Sequence, residues 1–386
     1  MYKIRTERRV QIPFIFRTIV VITFIYLSIP SLLSWGESSS SVFRHDVKAL
    51  GMGGAFVAAV DNANALVYNP ALLSRIGFNL VIPSLLFRLD NDFWDVANFA
   101  VDHREEFALY DTLYSGKGDS SSMAELETFL DEMTPYENQW GKTRFAPMFS
   151  LSLKNFGIGV YNTTDIWIKA DKGIYNPRVY SQAVSDLVFL AGHSKQIRQN
   201  MTVGLTGKYI SRRTSGLVKI SATDLDGTNE VLKPAYDQLR KNERGGGLDL
   251  GVLYAYRPRL DFGFVLHDVI GWIGKERVPR NLKAGMAYHW KAFPLLPLRE
   301  GVVAADIEDL LFTSGGNFFK RLHFGAATTL FFFGLRAGFN QGYPSVGAGI
   351  NLLIFKIDYA YYGEELGDFP GHEGEWFHTL QLAIGW

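Results

Sequence analysis

The residues most able to do chemistry in this 386-residue chain are few, and their spacing argues against catalysis. His372, Glu373, Glu375 and His378 cluster near the C-terminus and carry groups that could hold zinc. A zincin helix places its two histidines four apart on one face, and these are six apart, so surface or lumen polarity fits them better. Asp224, Asp226, Gly227, Thr228, Asn229 and Glu230 contain a fragment of a calcium loop without its full ligand spacing. Gly51, Met52, Gly53 and Gly54 could be mistaken for a phosphate loop, but no Gly-Lys-Ser/Thr follows them. No Ser, His and Asp arrangement stands out for an acyl hydrolase. The absence of cysteine excludes a disulfide scaffold, a thiolate zinc site, a Cys nucleophile and an acylated N-terminal anchor. The expectation is a protein that is not an enzyme and has neither metal nor cofactor.

A different kind of position carries more information. Lys283, Arg336, Lys356 and Asp358 each sit between apolar or small neighbours in stretches that alternate strictly. Phe355, Ile357, Tyr359 and Tyr361 share one face, and Lys356, Asp358 and Ala360 share the other. Such period-two patterning makes a strand with two unlike faces. In lipid each charge would cost roughly 2–4 kcal/mol at the midplane, so the alternation points these four residues into a lumen.

The elements that hold them read as about fourteen such strands between residues 77 and 386. The final one is clearest, with Leu380, Leu382 and Ile384 flanked by Trp376 and Trp386, an apolar stripe with aromatic ends. Strands three to five are placed near 156–163, 184–193 and 201–212. Gaps alternate in length: odd gaps are long, beginning with about fifty residues and then about twenty and about thirty, and even gaps are mostly tight turns. This is the asymmetry of outer-membrane barrels, with long external loops and short periplasmic turns. Residues 93–114, 123–133 and 231–240 carry helical patterns in the long gaps, as ordered external loops or, in a sharper reading, as a lid. Aromatic residues make up 14% and Gly numbers 38, in keeping with interface girdles and bent strands. Lys plus Arg equals Asp plus Glu at 39 each, which removes the basic surplus that nucleic-acid partners require.

The chain opens with Lys3, Arg5, Arg8 and Arg9 ahead of an apolar run, 18–33, followed by Ser34 and Gly36. Residues 1–36 therefore read as a signal peptide, and no later stretch has the length of a helical span. Residues 37–76 contain VKALGMGGAFVAAVDNANA and then Asn69, Pro70 and Ala71. This segment is too rich in Gly and Ala, and too irregular, for a transmembrane strand. It suits a plug packed closely against a wall, with Gly51, Gly53, Gly54, Asn69, Pro70 and Ala71 as hatch or gate candidates.

The same segment resembles the start of mature proteins in the FadL-type outer-membrane transporter superfamily, which also holds PorV and PorQ proteins and spirochaetal relatives. The resemblance continues through GGGLDLGVLYAYRPRLDFGFVLHDVIG and LHFGAATTLFFFGLRAGFNQGYPSVGAGINLLIFKIDYAYYGEELGD. It implies an all-β, fourteen-strand transmembrane barrel over 77–386 with a hatch inside. It also implies a channel for small hydrophobic molecules such as long-chain fatty acids or, in the PorV-like alternative, a platform holding an exported protein. The partners then expected are outer-membrane lipid, the hydrophobic cargo and the barrel-assembly machinery during insertion. Trp386 stands where that superfamily more often has Phe.

Overall fold

The computed structural model describes residues 46–107, 120–137, 139–172, 177–220, 236–291, 298–313 and 316–385. The proposed signal peptide, Trp386, the calcium-loop fragment 224–230 and residues 231–235 of the 231–240 helical pattern lie outside the described residues.

Alternating side chains build one closed sheet. Its fourteen spanning strands are β1 (Asn79–Asp90), β2 (Trp140–Leu153), β3 (Phe156–Asp171), β4 (Arg178–Arg198), β5 (Met201–Ile220), β6 (Lys241–Arg257) and β7 (Leu260–Ile273), followed by β8 (Asn281–Trp290), β9 (Leu298–Ile307), β10 (Leu322–Leu330), β11 (Phe333–Asn340), β12 (Tyr343–Leu352), β13 (Phe355–Glu365) and β14 (Gly374–Gly385). Each pairs antiparallel with its sequence neighbours, and β1 closes the ring on β14 from Val81↔Gly385 to Asp90↔Phe377. Closure leaves no edge for hydrocarbon to meet, the condition for strands to span a bilayer. A two-residue strand, Glu276–Arg277, doubles back on the outer end of β7.

The faces sort as the alternation requires. Phe324, Leu335, Phe339, Val346, Ile357, Leu380 and Leu382 are exposed on the outside, and Ala327, Ala360, Phe377 and Thr379 are buried inside. The expected fourteen-strand barrel is therefore present, but two details of the reading need correction.

First, β3, β4 and β5 run 16, 21 and 20 residues, well beyond a bilayer crossing. The expected gap of about twenty residues after strand three shrinks to 172–177. The extra length survives outside the membrane because its outer face is covered. Helix α3 (Asn91–Asp102) starts on Asp90, whose carboxylate accepts the Phe93 N–H at 2.6 Å. It buries Phe93, Val96, Ala97 and Phe99, and α4 (Ser120–Met133) adds Leu126, Phe129, Leu130 and Met133. Both pack on Ile168, Ala170, Val179 and Ile220. Leu89 and Gly141 share the outward parity of Phe87 and Phe145, and Gly141 admits the α3 backbone at Phe93. The described helical loop thus lines the outside of the wall rather than covering the mouth.

Second, the odd-gap rule does not hold throughout: the outer gaps 172–177 and 274–280 are no longer than the periplasmic gap 291–297, and one outer gap is a tight turn. β11 and β12 join through a tight outer turn at 341–342. The flanking loops close over it: the Asn317 N–H bonds the Asp368 carbonyl at 2.8 Å, and Lys320 Nζ reaches the Gly367 carbonyl at 2.5 Å. A longer loop would have to displace that cover.

Candidate functional site

Between residue 46 and β1 the chain folds inside the lumen. Asp46 caps α1 (Val47–Gly51) by accepting the Lys48 N–H at 2.8 Å, and also accepts from Asn62 and Asn64 at 2.7 and 2.8 Å. A second short helix, α2 (Ala65–Tyr68), leads to a 3-10 turn, Pro70–Ser74. Met52, Phe56, Leu66, Leu72 and Leu73 are fully buried against Leu86, Met148, Val188, Leu190, Leu253 and Phe377 of the wall. Each such burial stabilises the seat by about 1.5–3 kcal/mol.

The wall makes room by giving up side chains. Glycines face each other across the ladder as Gly157↔Gly192, Gly204↔Gly251, Gly263↔Gly285 and Gly325↔Gly338. Paired glycines weaken a sheet, so their place marks a close approach by something else. Here the visitor is the hatch. Leu66 and Leu73 fill the first pair, Asn69 and Pro70 the second, Val57 the third and Met52 the fourth. A Cβ on Gly204 would land in the backbone of Pro70, and one on Gly325 in that of Met52.

Specific bonds fix the seat. The Asp306 carboxylate accepts the N–H groups of Phe56 and Val57 at 2.6 and 2.8 Å. His323 donates from Nδ1 to the Gly53 carbonyl at 2.9 Å, and Ser345 Oγ donates to the Gly51 carbonyl at 3.2 Å. Arg75 forms a two-pronged pair with Asp261 at 2.5 and 2.8 Å. Asn69, wholly buried, donates to the carbonyls of Val57 and Val252 at 3.0 and 3.3 Å and accepts the Ala71 N–H at 3.1 Å.

The six hatch candidates therefore lie on this seat. Gly51 touches Gly347, while Gly53 (φ 63°) and Gly54 (φ 83°) turn the chain beside the Phe324 and Phe339 carbonyls and His323. The lumen candidates divide into two groups. Arg336 bonds Asp358 at 2.5 Å, and both line one cavity with Lys356. Lys283 lies apart, paired with Glu308 at 2.6 Å. The residues that grip the hatch, Asp306, His323, Ser345 and Asp261, were not singled out from sequence. Their inward parity was readable, but nothing in the sequence says which inward polar side chain meets the plug.

On the periplasmic side of the hatch is a cavity of about 550 Å³, lined by Lys48, Asp61, Arg75, Arg336, Lys356 and Asp358 among others. On the outer side, ion pairs cross the lumen wall. Arg144 meets Asp165, Arg212 meets Asp186 at 2.6 Å, and Lys208 sits between Asp249 and Asp268 at 2.9 and 2.6 Å. Arg88 stacks over Phe377 at 4.4 Å, and Lys142 reaches Glu375 at 2.6 Å.

No protein-family model matches the sequence, and no curated protein does. Solved structures do. A deletion mutant of the TodX monoaromatic hydrocarbon channel aligns over 88% of this chain and 97% of its own, with a TM-score of 0.50 and 12% identity. The fold is that of the FadL-type barrels. The Pseudomonas putida toluene transporter TodX (TM-score 0.48, 12% identity, 90% and 98% covered) and the CymD monoaromatic hydrocarbon channel (0.46, 12%, 90% and 98%) are further similar structures. Within the FadL-type fold, a closed fourteen-strand barrel with an apolar outer band and an occupied lumen is a protein of the outer membrane.

Proposed function

We propose that the chain is a channel for small hydrophobic molecules, gated by its N-terminal hatch. The observation that carries this reading is the seat of paired glycines. The wall forgoes strand-stabilising side chains at four places so that a separate segment can dock there, held by a few side-chain bonds and adding no strand to the sheet. Such a segment can shift without unzipping the barrel. The hatch occupies the lumen between the periplasmic cavity and the ion-paired outer wall, and in this reading its movement opens the path. The hydrocarbon-channel names of the similar structures support the cargo class, and long-chain fatty acids are a candidate within it.

Uptake by a strain lacking this chain and any paralogue tests the proposal. Slower uptake of monoaromatic hydrocarbons or long-chain fatty acids, restored by the intact chain, is expected. Normal uptake of both, together with a stable exported-protein partner in envelope pull-downs, would replace the channel with the PorV-like platform.

A further inference from the structure

Among the described residues, the periplasmic turns of the barrel fall into two unlike groups. The β2–β3, β4–β5 and β6–β7 turns are polar and basic, with Lys154 and Asn155, then Arg198, Gln199 and Asn200, then Arg257 and Arg259. The β10–β11 and β12–β13 turns are apolar. Phe331 and Phe332 are exposed at one, Leu352 and Leu353 at the other, and Leu353 is 99% exposed. The Asn351 N–H bonds the Phe332 carbonyl at 3.0 Å and the Gly385 N–H bonds the Ile354 carbonyl at 2.9 Å, which joins both turns to the end of β14 as one patch.

Local backbone preference does not explain these residues. Phe331 (φ 56°) and Leu353 (φ 49°) occupy left-handed turn positions where Asn or Gly is favoured. In the β2–β3 turn the left-handed residue, at the second position, is Asn155 (φ 68°), and the outer β11–β12 turn has Gln341 and Gly342 (φ 55° and 93°). The sequence accepts backbone strain at two exposed turns to present large apolar side chains there.

Strand length indicates what receives them. β10 and β11 have nine and eight residues. At about 3.3 Å per residue and a tilt of about 40° they rise roughly 20 Å, short of an apolar band of about 25 Å. The outward stripe of Leu335, Phe333, Ile357 and Phe355 runs without a polar break into the two turns. We propose that the β10–β13 sector inserts these turns, through Phe331, Phe332 and Leu353, into the acyl region of the inner leaflet, while the basic turns of the opposite sector stay at the phosphate level. The occupant is phospholipid, because the patch continues the lipid-facing surface of all four strands and, at β10 and β11, makes up the missing height; β12 and β13, with ten and eleven residues, match the band before their turn begins. This holds whatever the channel carries.

The cysteine-free chain permits a direct test. Single-cysteine variants Leu353→Cys and Phe331→Cys, with Asn155→Cys as the aqueous and Leu335→Cys as the lipid reference, are spin-labelled in phosphatidylethanolamine–phosphatidylglycerol vesicles. Collisional accessibility to oxygen and to a water-soluble nickel chelate is then read by power saturation. Labels at 331 and 353 are expected to favour oxygen, as at 335, with the ratio inverted at 155. Nickel-favouring labels at 331 and 353 would overturn the proposal. So would labels that are shielded in native envelopes but water-accessible in vesicles, since a protein rather than lipid would then cover the patch. Circular dichroism confirms that each variant is a folded barrel before it is scored.

Discussion

Asp306 shows how little holds the hatch at any one point. Its carboxylate takes two backbone N–H groups of the plug, and replacing it leaves both without an acceptor. Asp306→Ala is expected to cost about 1–3 kcal/mol in the docked state, the penalty of unpaired buried donors. Raised ion conductance in planar bilayers, with strand content unchanged by circular dichroism, is the outcome to look for. Unchanged conductance would place the gate elsewhere. The wall glycines make the complementary test. In Gly204→Leu the new side chain competes directly with Pro70 for space, so the hatch should become protease-sensitive while the barrel remains resistant. These residues were legible to different degrees. Arg336, Lys356 and Asp358 were readable as lumen-facing because a charge between lipid-facing neighbours has only one place to point. Asp306 and His323 obey the same parity but are indistinguishable from other inward polar residues until the plug is folded against them.

At the scale of elements, the described parts of the outer loops behave as packed structures. Glu365, where β13 leaves the membrane band, gathers the N–H groups of Gly367, Gly371, His372 and Glu373 at 2.7–3.0 Å and the Tyr343 hydroxyl at 2.8 Å. Burial alone would raise its pKa, but the Tyr343 and backbone hydrogen bonds outweigh that and hold it down to about 2. A depressed carboxylate contributes stability that is present above its unfolded value and lost as pH falls through the folded one. Loop 366–373 should therefore keep its hydrogen-exchange protection at pH 4 and lose it only as pH approaches 2, whereas Glu365→Gln should lose protection at neutral pH. The α3–α4 layer makes a separate prediction. Phe129 is almost fully buried in it, and Phe129→Ala should destabilise the layer by about 3–5 kcal/mol. Limited proteolysis should then cut within the β1–β2 loop and spare the strands. Strand number and facing were readable because period two persists wherever lipid lies on one side. The outer lengths of β3 to β5 were not, because a bilayer crossing sets a minimum and says nothing about what a strand does beyond it. The short connection at 341–342 departs from the gap-length rule for a related reason, since its cover comes from loops distant in sequence.

For the whole molecule, the proposed channel makes the barrel the fixed part and the hatch the movable one. The hatch buries several large side chains, so it does not open spontaneously to any large extent. Under the proposed function, a cargo would open it only by binding the displaced arrangement more tightly than the seated one, because equal affinity for both shifts nothing. Immobilising the hatch tests this most directly. Arg75 on the hatch and Asp261 on β7 already meet across the interface. In the otherwise cysteine-free chain, Arg75→Cys with Asp261→Cys can be bridged by a reducible bis-thiosulfonate linker and followed by uptake of a labelled hydrophobic solute into vesicles. Uptake should fall to the protein-free level when bridged and recover on reduction. Uptake that is the same before bridging, after it and after reduction would contradict a moving hatch.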